Sequence, residues 1–236
     1  VKDLAPVKLI QPLIVRRLAR VGVVACALAG CATPPPAEGW HAVTLPGKKS
    51  TRYAHTVHEG RRAIHAQADG SASMWRRKVH VPPERLGSVK LSWWVDQLMA
   101  QAHVGDADHE DAVARVIFAF EGDRDKLSPR TRAMFDLAQV LTGEAPPYAT
   151  LMYVWDTRAE VGSLIINPRT DRVRKIVLDS GPAGLKRWRD HQRNLAQDFR
   201  MAFGEEPGPL VGIAVMTDAD NTRSVAQAWY GAIELQ

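Results

Sequence analysis

The stretch Val113-Ala-Arg-Val-Ile-Phe-Ala-Phe120 decides the fold class of this chain. Apart from Arg115, it is apolar on both faces of an extended strand, which is typical of a strand in the middle of a buried sheet. Other short runs rich in apolar residues precede and follow it, separated by Gly, Pro, Asn and Asp. The sequence therefore predicts a mainly β protein built as a single jelly-roll-like sandwich.

Turn residues and helix signals complete this prediction. Glu59-Gly60 and Asp69-Gly70 each separate two predicted strands and indicate hairpins. Two helices are predicted in the long connections. The first helix begins after Ser128, ends at Gly143 and has an apolar face. The second helix ends at Gly204 and has a longer apolar face. These two faces consist of Met134, Leu137, Ala138 and Leu141, and of Leu185, Trp188, Leu195, Phe199 and Phe203, respectively.

The basic charge of the chain is concentrated at its N-terminus. The formal net charge is +5 and the pI is about 9.4, values that would suit a nucleic-acid-binding protein. Five basic side chains and one acidic side chain precede residue 31, so the rest of the chain has a net charge of only +1. We therefore expect no nucleic acid among the partners.

The N-terminal segment has the pattern of a lipoprotein export signal. Three arginines between residues 16 and 20 precede the apolar run 21–29, which is too short to span a bilayer as a helix. Leu28-Ala29-Gly30-Cys31 resembles the bacterial lipobox, whose cysteine is acylated. We expect a signal peptide over 1–30, a Pro-rich tether over 31–39 and the sandwich domain over 40–236. Acylated Cys31 would anchor the chain in the membrane, and Ala32 in the next position implies the outer membrane, facing the periplasm.

Residues spread over the domain resemble a bacterial domain of unknown function, family 3047. The motifs that carry this resemblance are Leu91-Ser-Trp93, Ala114-Arg115-Val116, Tyr153-Val-Trp155, Asp198-Phe199-Arg200, Gly212 to Thr222 and Ala228-Trp229-Tyr230-Gly231. Phe199 stands where tyrosine is usual in the family. The resemblance covers roughly residues 40–235 and implies a sandwich fold in the cell envelope, of the galactose-binding-like type. It implies no activity.

Arg115 is the most informative candidate site residue. A guanidinium does not lose its proton, so within an apolar strand it requires an acidic partner or a bound anion. Asp111, Asp218 or Asp220 could be the partner in a structural ion pair. Alternatively, Arg115 lines a pocket and holds a carboxylate, phosphate or sugar hydroxyl.

Acidic turns and aromatic side chains supply the other candidate residues. Asp218, Asp220 and Asn221 place three oxygen-bearing side chains in four positions, which suits either a turn or a structural Ca²⁺ site. Trp93, Tyr153 and Trp155 could stack on sugar rings, with Arg115 and Asp111 beside them, or pack in the core. Adjacent residues of a strand point to opposite faces, so Trp93 and Trp94 should separate.

These observations favour a non-catalytic module that binds either a ligand such as a glycan or an envelope protein. Two alternatives stay open. One is a hydrolase of envelope polysaccharide that uses a pair of carboxylates; the other is a structural partner in an envelope complex. The sequence contains no His-Glu-x-x-His, Gly-x-Ser-x-Gly, P-loop or dinucleotide-binding motif. We name no catalytic residue, and no cofactor beyond the possible Ca²⁺.

Overall fold

The computed structural model describes residues 39–236, and in this range two β-sheets lie face to face. The expected signal peptide, Cys31 and nearly all of the tether lie outside the described residues. The strands are β1 (Trp40–Thr44), β2 (Arg52–His58), β3 (Arg61–Asp69), β4 (Ser73–Val81), β5 (Ser88–Val95), β6 (Ala112–Phe120), β7 (Ala149–Asp156), β8 (Leu164–Ile166), β9 (Val173–Ser180), β10 (Arg189–Asn194), β11 (Leu210–Asp218), β12 (Val225–Tyr230) and β13 (Glu234–Leu235). The two α-helices are α1 (Pro129–Thr142) and α2 (Leu195–Phe203).

The order of the strands is that of a jelly-roll-like sandwich. The seven-stranded sheet has the order β1-β4-β11-β6-β7-β9-β8, and the second sheet has the order β10-β5-β12-β3-β2, with β13 also on β5. Near the end of the chain, β11 enters between β4 and β6, and β12 enters between β3 and β5. The predicted fold class, a mainly β sandwich with two helices, is confirmed.

The core lies between the sheets, where alternate residues of each strand meet. The predicted central strand β6 contributes Val116, Phe118 and Phe120, which are fully buried, to this core. Two buried carboxylates join the sheets. Asp179 accepts hydrogen bonds from Trp93 and His191, and Asp198 accepts them from Tyr153 and Arg193. Each carboxylate thereby satisfies polar groups that would otherwise be buried without a partner.

Two sequence predictions about local structure require correction. Glu59-Gly60 forms the expected hairpin between β2 and β3, but Asp69-Gly70 does not form one, because β3 and β4 belong to different sheets. The second helix is shorter than predicted: α2 begins only at Leu195, and the preceding residues form the edge strand β10. The alternation of β10 turns Arg189, His191 and Arg193 toward Asp179 and Asp198, so pairing of those side chains favours a strand.

Helix α1 begins and ends where the sequence predicts, but its orientation differs. The Ser128 side chain accepts a hydrogen bond from the backbone N–H of Thr131, and Gly143 ends the helix in the left-handed conformation. The helix buries Thr131 and Phe135, whereas Leu137 and Leu141 are 59% and 68% exposed. The predicted core face is therefore wrong. The side of the helix with Thr131 and Phe135 is turned toward the domain, and the side with Leu137 and Leu141 is turned toward solvent.

Within residues 39–236, no helix has both the length and the apolar character needed to cross a bilayer.

Candidate functional site: a groove on the seven-stranded sheet

The outer face of the seven-stranded sheet contains a groove with a volume of about 340 Å³. Its floor consists of side chains that alternate with the core residues along four neighbouring strands. These floor residues are aliphatic or sulfur-containing: Met74, Ile117, Met152, Ala214 and Met216. The register pairs Ile117 with both Ala214 and Met152, so the floor is continuous across the strands.

Loops form the walls of the groove. Leu45 and Lys48, after β1, line one side, and Asn167 and Arg169, after β8, line the other. Lys48 pairs with Asp220, which closes the groove near the end of β11. The floor is therefore apolar, while the rim presents amide, carboxylate, ammonium and guanidinium groups.

A second depression continues the groove toward the ends of β4 and β6. It shares Arg76, Ala119, Pro147 and Gly212 with the first depression and also contains Glu121, Lys78 and Glu144. Arg115, Ile117, Ala119 and Glu121 line the combined groove in alternation along one strand. A rise of about 3.3 Å per residue gives a length of roughly 20 Å. The groove is long enough for an extended ligand.

Arg115 lies at one end of the groove and is only 3% exposed. Its Nη2 is 2.9 Å from a carboxylate oxygen of Asp218 and 2.6 Å from the backbone carbonyl oxygen of Glu110. The Glu110 carboxylate lies 3.7 Å from Nη1. Of the three partners considered from the sequence, Asp218 is the one in contact. The Nε–H of Arg115 has no acceptor among the described residues.

Lys175 is a further charged residue at this end of the groove. Its Nζ lies 2.6 Å from Glu110 and 2.7 Å from the carbonyl oxygen of Val104, and the side chain is fully buried. Burial lowers the pKa of Lys175 to about 8, and the nearby charge of Arg115 acts in the same direction. The sequence gives only a weak signal for this residue, because Lys175 follows Arg174 and the strand is apolar only from Ile176 onward.

Asp218 is the buried carboxylate that pairs directly with Arg115. Burial raises the pKa of Asp218 to about 6, although Arg115 and the backbone N–H of Ala112 act in the opposite direction. Glu110 is held by Lys175, Arg115 and the side-chain amide of Asn167. The groove therefore ends in two carboxylates that share one guanidinium.

Asp218 and Asp220, two of the three residues named as possible Ca²⁺ ligands, come together with Asp111, but other groups already bind these carboxylates. Oxygens of Asp111, Asp218 and Asp220 lie within 4.8 Å of one another. Asp111 accepts hydrogen bonds from the backbone N–H groups of Asn221 and Thr222 and from the Thr222 hydroxyl. The Asn221 side chain donates to the Ala107 carbonyl. A cation would compete with Arg115 and Lys48 for the other two carboxylates.

The aromatic residues named as possible sugar platforms lie in the core. Trp93, Tyr153 and Trp155 are at most 1% exposed, and each uses its polar atom inside the protein. Trp93 donates to Asp179, Tyr153 to Asp198 and Trp155 to the carbonyl oxygen of Gly181. Their rings have no free face, so the prediction that they contact a ligand is corrected. They lie opposite Arg115 and Asp111, across the sheet.

Trp94 points away from Trp93, as the alternation of a strand predicts. On the outer face of the second sheet it joins Trp229, whose ring lies between those of His58 and His65. The centroid distances are 4.1 Å to His58 and 4.3 Å to His65. We call these four residues together with Trp188 the His–Trp cluster.

Comparison with known proteins identifies the family. The family model described as "Protein of unknown function (DUF3047)" matches residues 38–234, so the chain belongs to this family, as its sequence motifs indicate. No curated protein matches the chain.

Solved structures with a similar arrangement include carbohydrate-binding and carbohydrate-cleaving domains. The family 11 carbohydrate-binding module of the Clostridium thermocellum cellulase Lic26A-Cel5E is 8% identical, with a TM-score of 0.41, covering 86% of this chain and 90% of that one. Endoglucanase 3 of Trichoderma harzianum, from family GH12, is 7% identical, with a TM-score of 0.44 and coverages of 84% and 91%. Likeness at this level carries no argument about the ligand of this chain.

Proposed function

We propose that this member of the DUF3047 family is a non-catalytic binding module and that the groove holds an extended ligand. The carrying observation is the combination of a continuous apolar floor with amide and charged side chains at its rim. Sites for organic ligands typically combine an apolar surface with a few fixed polar groups in this way.

A glycan chain is the ligand class that we propose for the groove. The groove is roughly 20 Å long, so it suits an extended chain of several sugar units better than a single ring. The aliphatic floor offers a surface for sugar C–H groups, and Glu110, Asn167 and Arg169 at the rim offer partners for hydroxyl groups. No aromatic ring lines the first depression, and Tyr148 lines the second. Contact in the first depression would therefore depend on shape and hydrogen bonds.

The position of Gly212 allows a direct test of this groove. A Cβ built on Gly212 lies 3.4 Å from the Cβ of Ala119, and both residues line the middle of the groove. Gly212→Leu should fill the groove and lower affinity for a tetrasaccharide at least tenfold in isothermal titration calorimetry. Gln67→Leu, on the exposed outer face of the second sheet, is the matched control and should leave affinity unchanged.

The choice of probes separates a glycan from other ligands. Three probes are compared. Cellotetraose represents a neutral glycan, a uronic acid tetramer represents an acidic glycan, and lauric acid represents a plain acyl chain. Binding of either tetrasaccharide that Gly212→Leu abolishes supports the proposal. Binding of lauric acid alone would contradict the glycan assignment, and equal binding by both leucine variants would contradict the assignment to the groove.

Hydrolysis of an envelope polysaccharide is the second candidate function. The observation that favours it is the pair Glu110 and Asp218, which line the same cavity, together with the raised pKa of Asp218. A carboxyl group that keeps its proton near pH 6 can serve as a general acid. Release of reducing ends from peptidoglycan glycan strands, lost in both Glu110→Gln and Asp218→Asn, would establish this activity; an absence of release favours simple binding.

We also propose that acylated Cys31 anchors the domain to the outer membrane on its periplasmic side. Multiple acyl chains give stable attachment, whereas one chain gives only reversible binding. Cys31→Ser should move the protein from the membrane fraction to the soluble fraction. An unchanged membrane fraction would refute the anchor, and this outcome is independent of ligand binding in the groove.

A further inference from the structure

Helix α1 exposes a strip of apolar side chains to solvent. Leu137, Val140 and Leu141 are 59%, 81% and 68% exposed, and Met134 adds to the same side. Among residues 39–236, nine large apolar side chains are exposed, and four of them belong to this one helix of 14 residues. A concentration of this kind marks an interaction surface, because isolated exposed apolar residues are ordinary.

Charged residues of both signs border this apolar strip. Arg130 is four residues before Met134, and exposed Asp136 is four residues before Val140, so both lie beside the strip. Arg130 and Met134 also line a surface depression together with Ile166, Arg169 and Asp171. An exposed apolar strip with charged side chains at its border is the pattern of a helix that lies in a membrane interface.

The strip lies at the end of the sandwich where the described chain begins. Helix α1 follows β6, whose last residue Phe120 pairs with Leu210, and Leu210 pairs with Val81 at the end of β4. Strand β1 runs antiparallel to β4, so Trp40 is its residue nearest to that same end. The first described residues thus lie in the half of the sheet that α1 adjoins.

We propose that the apolar strip of α1 contacts the surface of the lipid bilayer. This inference rests on the proposed anchor at Cys31. Seven residues lie between Cys31 and Gly39, so a fully extended tether spans at most about 28 Å. This short reach keeps α1 close to the membrane. Contact through the strip would orient the domain and hold it against the lipid headgroups.

Fluorescence of a single label tests this contact directly. The full chain is purified from membranes and reconstituted in vesicles of phosphatidylethanolamine and phosphatidylglycerol at 3:1. It carries Val140→Cys, or as a matched control Val57→Cys, each labelled with an environment-sensitive dye. Val57 is equally a valine and is 64% exposed, but it lies on β2 of the other sheet. Quenching by headgroup nitroxide lipids should be at least threefold stronger at position 140.

A charge-insertion pair gives an independent readout. Leu137→Glu combined with Val140→Glu should reduce the quenching of a dye at position 134, introduced as Met134→Cys, to the level seen at position 57. Val57→Glu combined with Val225→Glu, which alters two exposed valines elsewhere, should leave it unchanged.

The possible outcomes separate this proposal from the anchor. Equal quenching at positions 140 and 57 in vesicle-bound protein overturns the membrane contact and leaves the anchor intact. Failure of the protein to remain on vesicles after a carbonate wash overturns both. If quenching is absent and sedimentation shows a dimer that Leu137→Glu dissociates, a second copy of the chain covers the strip, and the bilayer proposal is wrong.

Discussion

The outer faces of the two sheets both carry apolar side chains, but they use them differently. On the second sheet, the rings of the His–Trp cluster shield one another from solvent. Trp229 is stacked between two histidines and contacts Trp94 edge-on, and Arg61 lies over Trp188. On the seven-stranded sheet, Ile117, Met152 and their neighbours form the floor of an open groove. Apolar groups that the protein leaves uncovered indicate a binding surface better than aromatic content does.

The largest expected effect concerns the charged end of the groove. Arg115→Ala should lower the free energy of unfolding by about 3–5 kcal/mol, because it leaves Asp218 and Glu110 buried without their guanidinium. Urea denaturation measures this loss. Arg76→Ala, which removes the partly exposed guanidinium paired with Glu144 in the same groove, should cost about 1 kcal/mol or less. Equal losses would show that Arg115 is not a structural ion-pair partner.

The second prediction tests whether the His–Trp cluster is purely structural. Trp229→Ala should cost about 3 kcal/mol, since its ring contacts His58, His65 and Trp94 and is 9% exposed. Tetrasaccharide affinity should stay within twofold of that of the unchanged protein, because the cluster lies on the opposite sheet. A large loss of affinity in a folded variant would move the binding surface to the second sheet.

The third prediction follows from the raised pKa of Asp218. Its pKa rises from about 4 in the unfolded chain to about 6 in the folded one, so between these values the folded state binds the additional proton. The stability that this proton contributes is present below pH 4 and is lost as the pH rises through 6. The unfolding free energy of the unchanged protein, relative to that of Asp218→Asn, should therefore fall by up to about 3 kcal/mol between pH 4 and pH 6.5. A pH-independent difference would refute the shift.

The smallest expected effect concerns Ca²⁺. Asp111 already accepts three hydrogen bonds, and Asp218 and Asp220 are paired with Arg115 and Lys48. Millimolar Ca²⁺ should therefore raise the melting temperature by less than about 1 °C for a domain of this size. A rise of several degrees that Asp220→Asn removes would establish the cation site.

The architecture was accessible from the sequence for a specific physical reason. The stretch 113–120 is apolar on both faces, so only a central strand can bury it, and Ser128 and Gly143 carry unambiguous helix-end chemistry. Helix orientation was not accessible, because Phe135 and Leu137 are equally apolar and only tertiary contacts select which one is buried. Strand β10 was mistaken for helix because its pairing with Asp179 and Asp198 is a long-range property.

The candidate site was accessible only in part. Arg115 could be recognised because a guanidinium within an apolar strand needs a partner, and Asp218 was among the partners considered. Lys175 and Glu110 were not singled out, because they are 65 residues apart in sequence and meet only through the register of the sheet. Trp93 and Trp155 misled for a related reason: the composition of a strand does not tell which of its faces is toward the core.

The insertion of β11 and β12 between earlier strands has a consequence for how the chain matures. Strands β4 and β6 are joined only through β11, which lies between them. In the second sheet, β3 and β5 are likewise joined only through β12. Because these contacts are distant in sequence, neither sheet can close before residues 210–230 are present. Completion of both sheets therefore depends on the same short segment of the chain.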